Sequence, residues 1–239
     1  MSTTTLFIPC YNESKNLPSL LKALGALKPE IEIVFIDDAS TDETPERLRS
    51  NGCRVIRNPR RLGYSGAIRT ALEAALKSDT GIIVLMDSDG QHDPAAVPDA
   101  IEAFRRTSSD LLIGSRYVRK TDYRTPLERR IAMIFFSWLT YWIAGKRIHD
   151  TTSGFKILSR RAARLALSYP VHDLHSEFII GLLRAGQTVN EIAIDVKPRQ
   201  YGRSMHSWKS AFRYPFHTLK AIFAVLSVEV QSDRNGHRI

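Results

Sequence analysis

The chain of 239 residues is 43% hydrophobic and carries a net charge of +9, so it can bury a real core in one large or two small domains. Its two cysteines, Cys10 and Cys53, exclude a disulfide framework and point to a reducing compartment. The opening Met1-Ser2-Thr3-Thr4-Thr5-Leu6-Phe7-Ile8-Pro9 has neither a basic n-region nor a long apolar stretch, so no signal peptide is expected. No internal repeat or low-complexity segment interrupts the chain; only a charged, polar tail over 232–239 stands apart.

Residues 6–9 read as a first strand leading into the loop Cys10-Tyr11-Asn12-Glu13. Ser14 is then expected to cap a helix that carries Leu17, Leu20, Leu21, Leu24 and Leu27 on one face. Residues 31–36 form a second predicted strand, ending in Asp37-Asp38. Thr44-Pro45 opens a short helix and residues 54–57 a third strand. The spacing of Ile68, Leu72, Ala75 and Leu76 predicts a helix over 63–77. The uncharged run 82–86 is a buried strand that stops at Asp87-Ser88-Asp89-Gly90-Gln91-His92-Asp93-Pro94. Asp93 and Pro94 have the chemistry of an N-cap and first helical residue for a helix bearing Val97, Ile101 and Phe104, and a strand over 110–114 follows. Strands alternating with helices imply an α/β fold built on a mostly parallel, doubly wound sheet. Its polar loops would gather Asn12, Glu13, Asp37, Asp38, Asp87 and Asp89 on the edge where such sheets bind nucleotides.

Capping accounts for Asp93 but not for Asp87 and Asp89. Two carboxylates that close repel each other and need a cation or a shared proton. Oxygen ligands with few other protein donors suit Mg²⁺ or Mn²⁺, ions that commonly also hold substrate phosphates. No G-x-G-x-x-G or G-x-x-x-x-G-K-[ST] loop is present to cradle phosphate through backbone N–H groups, so a metal and cationic side chains must bind it. H-E-x-x-H and C-x-x-C are absent as well, which argues against zinc.

The positive charge is concentrated. Residues 116–220 hold 19 Lys and Arg against 7 Asp and Glu, while the remainder is slightly acidic. Such a surface suits nucleic acid, anionic lipid or a phosphorylated substrate. The aromatics here form one apolar block instead of interleaving with the cations, which argues against nucleic acid. That block, 131–144, contains Phe135, Phe136, Trp138, Tyr141 and Trp142 between Arg129-Arg130 and Lys146-Arg147. It is shorter than the ~20 residues a spanning helix needs. Two readings stand open: a helix lying in the membrane interface, or an ordinary helix buried against the sheet. A second stretch, 208–230, is apolar but interrupted by Arg213, His217 and Lys220, as an amphipathic helix with a break at Pro215 would be.

Taken together, Ile8-Pro9-Cys10-Tyr11-Asn12-Glu13, Asp37-Asp38-Ala39-Ser40-Thr41-Asp42, Asp87-Ser88-Asp89-Gly90-Gln91-His92, Gly114-Ser115-Arg116-Tyr117 and Asp150-Thr151-Thr152-Ser153-Gly154-Phe155 resemble, in order, the motifs of family 2 glycosyltransferases of the GT-A fold. Within that family the chain looks most like the polyprenol-phosphate (dolichol-phosphate) mannose or glucose synthases. The resemblance implies a Rossmann-like GT-A domain over 1–206 that includes an interface helix at about 126–145, an amphipathic helix over 207–231 and the tail over 232–239. It implies that Pro9, Tyr11, Glu13, Ile36 and Asp38 border the nucleoside, with Ser88 beside them on the donor, and that Asp87, Asp89 and Gln91 hold the metal on the donor diphosphate. Arg116 and Arg129 would meet the acceptor phosphate, with Arg130 the alternative one position on, since guanidinium forks match phosphate oxygens. Arg199 would belong to a loop that folds over the donor.

Two positions depart from the family pattern. The loop reads Arg199-Gln200-Tyr201-Gly202-Arg203-Ser204-Met205, with methionine where relatives carry lysine; Arg203, His206 or Lys209 are the candidate replacements. Met133 also stands where some relatives place a serine, with Ser137 one helical turn later. The implied reaction moves a hexose, GDP-mannose being the favoured donor, to a polyprenyl phosphate at the cytoplasmic membrane face. Attachment there would be peripheral or through a membrane-protein partner. A lipid phosphate is already largely ionised at neutral pH, which agrees with the lack of an evident nucleophile–base pair. A hydroxyl acceptor would instead need a carboxylate base, for which Asp150 and Glu177 are the candidates.

Overall fold

The computed structural model describes residues 3–119, 127–169 and 174–198, together with 222 and 225. Seven strands form one sheet: β1 (Thr3–Cys10), β2 (Ile31–Asp37), β3 (Arg54–Arg57), β4 (Thr80–Leu85), β5 (Leu111–Ser115), β6 (Lys156–Ser159) and β7 (Val189–Ala193). Their order is β3-β2-β1-β4-β6-β5-β7. All neighbours run parallel except β6, which is antiparallel to both β4 and β5. The chain winds outward from β1 to β3 and then crosses back to β4 on the other side of β1. The carboxyl ends of β1 and β4 therefore flank a topological switch point, where a ligand crevice opens.

The five strands expected from the sequence are all present. Strands β6 and β7 add to them, and β6 separates β4 from β5. Alternating side chains send Leu6, Ile8, Phe35, Val84 and Leu112 to one face, covered by α1 (Leu17–Leu24), α2 (Thr44–Ser50) and α4 (Val97–Arg106). Phe7, Val34, Ile36, Ile83, Leu85 and Ile113 go to the other, covered by α3 (Gly63–Lys77), α6 (Arg160–Ser168) and α7 (Ser176–Arg184). Asp93 accepts from the Ala95 N–H at 3.1 Å and caps the single 3₁₀ turn that precedes α4, as its sequence context suggests. Ser14 does not cap α1. That helix starts at Leu17, and the Ser14 N–H instead donates to Asp42 Oδ2 at 3.2 Å.

The aromatic block lies on helix α5 (Leu127–Ala144), which has one side packed against the protein and one side exposed. Phe136, Ser137 and Thr140 are buried, and Phe136 packs on Ile180 of α7. Ile134, Phe135, Trp138, Tyr141 and Trp142 are exposed. Among the described residues no helix is long and apolar enough to cross a membrane. The expected helix over 207–231 lies outside the described residues except for Ile222 and Val225, which are helical and buried. The tail over 232–239 lies wholly outside them.

One side chain locks the two halves of the sheet together. The Arg160 guanidinium, at the start of α6, donates to the carbonyls of Ala75 (3.0 Å), Leu76 (2.8 Å), Ser78 (2.7 Å) and Thr80 (2.8 Å). It satisfies the last turn of α3 and the first residue of β4 at once. Charge-assisted bonds of this kind contribute about 2–3 kcal/mol together once solvation is counted. Arg160→Ala should therefore lower unfolding free energy by that amount in urea titrations, with Arg160→Lys recovering part; a loss under about 0.5 kcal/mol would contradict the assignment.

Candidate active site

The loops after β1 and β2 are laced together by their own polar side chains. Asn12 takes a positive φ of 55°, which asparagine tolerates. Its Oδ1 accepts from the Thr41 N–H at 2.8 Å, and its N–H donates to Ser40 Oγ at 3.0 Å. The Glu13 N–H donates to Thr44 Oγ1 at 2.9 Å. Asp37 is fully buried and held by the Ser40 N–H and the Arg57 guanidinium, at 3.0 and 2.6 Å. Asp38 turns the other way. It accepts from Asn58 Nδ2 and from the N–H groups of Leu62 and Gly63, at 2.9, 2.9 and 2.7 Å, and so anchors the N-terminus of α3.

Between these loops and the end of β4 lies a cavity of about 340 Å³. Pro9, Tyr11, Glu13, Asp38, Asp87, Ser88 and Asp89 line it, so seven of the donor residues expected from the sequence come together. Ile36 does not join them: its side chain is fully buried in the core beside Phe7 and Val34. The Ser88 hydroxyl donates to the Pro9 carbonyl at 2.8 Å, tying the β4 loop to the β1 loop. Arg61, Gly63, Tyr64 and Ala67 line the cavity as well, and none of them was legible in the sequence as part of the site. The Arg61 guanidinium stacks 4.1 Å from the centroid of the Tyr11 ring. Tyr64 hydrogen-bonds the Asp87 carboxylate.

Asp87 and Asp89 reach the cavity with different partners. Asp87 Oδ1 is enclosed and has no hydrogen-bond partner. Burial pushes the Asp87 pKa up and the neighbouring Asp89 charge adds to the rise. Asp89 accepts the Gln91 N–H at 3.0 Å. Gln91 itself does not line the cavity. Its carboxamide donates to the Lys197 carbonyl at 3.4 Å, and the Gln91 backbone carbonyl accepts the Lys197 N–H at 2.8 Å. The metal set expected from sequence therefore reduces to two carboxylates at the cavity wall. His92 is buried against Phe155 with ring centroids 5.7 Å apart, and burial holds its pKa down.

Behind the two aspartates lies a second layer. Arg116 donates to both oxygens of Asp150 at 2.7 Å, with a further bond from its backbone N–H at 3.1 Å and one to Thr152 Oγ1 at 2.9 Å. Burial alone would raise the Asp150 pKa, but the Arg116 hydrogen bonds and charge outweigh it and hold the carboxyl below its usual range. Lys156 is buried beside Asp150 and Asp87, and burial pulls its pKa down to about 8. Gly154 faces Asp87 so closely that a Cβ there would overlap the carboxylate. Arg130 is exposed on α5; the side chain of Arg129 and all of Arg199, Arg203, Met205, His206 and Lys209 lie outside the described residues.

Among the described residues no three His, Cys, Asp or Glu side chains are grouped as a metal site. The arrangement nonetheless fits a divalent ion: two adjacent carboxylates, one with an enclosed oxygen lacking any partner, leave the other positions to water and phosphate oxygens.

The Arg116–Asp150 pair sets an acid limit on stability. The folded pKa of Asp150 lies below its unfolded value, so its stabilisation is complete above the unfolded carboxylate pKa of ~3.9 and drains away as pH falls through the folded value. Asp150→Asn leaves Arg116 without its counter-charge and should cost about 3 kcal/mol at pH 7. The gap in Tm between variant and parent should narrow steadily as pH falls below ~3.9; a gap unchanged as the solution is acidified would contradict the pairing.

The family model described as "Glycosyl transferase family 2" matches residues 5–166. An uncharacterized protein of Methanocaldococcus jannaschii is 32% identical over 201 residues, covering 82% of each chain. The polyprenol monophosphomannose synthase of Mycolicibacterium smegmatis is 28% identical over 85% of this chain and 81% of its own. In fold the chain is similar to glucosyl-3-phosphoglycerate synthase from Mycobacterium tuberculosis, solved with Mn²⁺, UDP-glucose and phosphoglyceric acid. That match has a TM-score of 0.71 at 19% identity and covers 98% of this chain and 81% of the other. The strand-end loops that build the cavity fall within the matched residues, and the chain belongs to glycosyl transferase family 2.

Proposed function

We propose that this chain transfers a hexosyl group, with inversion, from a sugar nucleotide held in the cavity to a polyprenyl phosphate at the cytoplasmic membrane face, with GDP-mannose as the favoured donor. The observation that carries this reading is the engagement of Asp150, the candidate base beside Arg116. Asp150 is forked by Arg116 and held ionised, and Glu177, the other candidate, is buried within the electrostatic reach of Lys156. A sugar hydroxyl as acceptor would need one of them to accept a proton. A lipid phosphate would not, because its oxygen is already anionic. That oxygen forms the new bond to the anomeric carbon as the bond to the nucleoside diphosphate breaks. The Mycolicibacterium relative, a polyprenol monophosphomannose synthase, supports the same acceptor class.

In this reading the chain binds, orients and neutralises. The Tyr11 ring offers a flat wall for the base, and Glu13 borders the ribose. Asp87 and Asp89 would hold Mg²⁺ or Mn²⁺, which when bound would offset charge on the departing diphosphate. Arg61 brings a guanidinium to the same wall. Arg116, its fork taken by Asp150, lends the acceptor phosphate its charge, and Arg129 or Arg130 of α5 supplies the further cation. Arg199 closes over the donor. The exposed aromatic side of α5 docks peripherally on the bilayer, alone or beside a membrane-protein partner. Trp138 and Arg147, stacked at 5.2 Å, illustrate the pairing of ring and cation that suits headgroup depth.

Incubation with polyprenyl-phosphate vesicles, Mn²⁺ and labelled GDP-mannose, UDP-glucose or UDP-GlcNAc should move label into a chloroform-soluble product from one donor, GDP-mannose being expected. Label in none of the three would end the lipid-acceptor reading, and Asp89→Ala should reduce transfer by at least ~100-fold. The docking side of α5 has its own check. Trp142, 78% exposed, should show a blue-shifted emission on anionic vesicles, and Trp138→Ser with Trp142→Ser should weaken partitioning several-fold. Equal partitioning of parent and variant would place the membrane contact elsewhere.

A further inference from the structure

Lys156 occupies a place where a cation is costly. It opens β6 in register with Leu85 of β4 and Ile113 of β5, both essentially fully buried, and is itself only 3% exposed. Cross-strand partners share a face, so its side chain rises on the face covered by α3, α6 and α7. Its amine donates to the Ser153 carbonyl. Two residues earlier, Gly154 has no room for a Cβ because the Asp87 carboxylate fills that space. Enclosing an ammonium in such a place costs several kcal/mol, and an apolar residue of similar length would pack there without that cost.

The neighbours of Lys156 explain the charge. Asp87, Asp150 and Glu177 all act on it electrostatically, and Asp89 lies beside Asp87. Among the described residues the cations acting on these carboxylates are Lys156, which is buried, and Arg116, which is 16% exposed; His92 also acts on Asp87, and burial holds that ring toward its neutral form. Arg116 is committed to Asp150 by its fork. The network then holds an excess of two negative charges, which is the charge of one divalent ion, and Lys156 is the enclosed cation that Asp87 shares with Glu177.

We propose that Lys156 is the resident counter-charge of the ion site: it holds the Asp87 carboxylate in place while no ion is bound and weakens the site's affinity for a divalent cation, so that the ion exchanges with the diphosphate. Lys156 acts through Asp87 and is a positioning residue. The charge effect has a sign that packing alone does not. Removing the cation while keeping the volume, in Lys156→Met, lowers the Tm of the ion-free protein but raises its affinity for Mn²⁺, by at least ~10-fold at the effective dielectric of such sites. Mn²⁺ accordingly raises the Tm of this variant more than that of the parent. Lys156→Arg keeps the parent's response. Glu177→Gln, which leaves Lys156 more fully to Asp87, lowers Mn²⁺ affinity.

The test is a titration with Mn²⁺ alone at pH 7, read by EPR of the unbound ion and by thermal denaturation, in the parent and the three variants. The inference rests on the divalent-ion reading above, and the two fail separately. A parent that neither binds Mn²⁺ nor gains Tm from it overturns both. A parent that responds, with Lys156→Met responding equally or less, overturns the counter-charge alone. If Lys156→Met does not fold with or without Mn²⁺, Glu177→Gln decides: weakened binding supports the counter-charge, and unchanged or tighter binding overturns it.

Discussion

Carboxylates gathered at the carboxyl ends of neighbouring strands repel one another, and the loops around this cavity take their shape from how each one is held. Asp37 is gripped by Arg57 and a turn N–H, Asp38 by the start of α3, and Asp42 by the N–H groups of Ser14 and Thr44. Asp150 is forked by Arg116. Each such bond fixes a loop as well as a charge. The β1 and β2 loops, the β3–α3 connection and the segment before β6 are thereby held against one another with little regular structure between them. Asp87 is the exception in this set, with one enclosed oxygen that no protein group satisfies.

The antiparallel strand β6 makes that exception possible. A purely parallel continuation from β4 to β5 would leave the side of β4 open to an ordinary crossover. Inserting β6 instead brings 150–156 alongside Asp87, so that Gly154 crowds its carboxylate and the Lys156 charge acts on it. Glycine and lysine do opposite things at this wall. One provides space and the other charge, and both come from a stretch far from the aspartates in sequence.

Periodicity exposed the first five strands and the helices that cover them, because Leu, Ile and Val repeat there at regular spacing. The same signal fails for β6, which has four residues and begins with a buried lysine, and for β7, whose Asn190 and Glu191 break the alternation. Among site residues, those in ordered polar motifs at strand ends came together in the cavity. Ile36 did not, because two-residue alternation sends it into the core with Val34. Gln91 was diverted by Lys197, a partner more than a hundred residues away that no local pattern announces. Arg61 gave no signal beyond a pair of arginines before Gly63, and its meaning depends on the Tyr11 ring that the fold sets under it.

The place of β6 also governs the order in which the sheet can be completed. Strand β5 touches only β6 and β7, so it cannot join the sheet until residues 156–159 are available. A chain emerging from the ribosome has β1 through β4 ready to pair well before then, with one flank of β4 unsatisfied. Such an edge invites pairing with other chains, and long-range strand closure is slow. The segment that perfects the aspartate wall is thus also the one whose late arrival leaves the nascent chain dependent on protection from its neighbours.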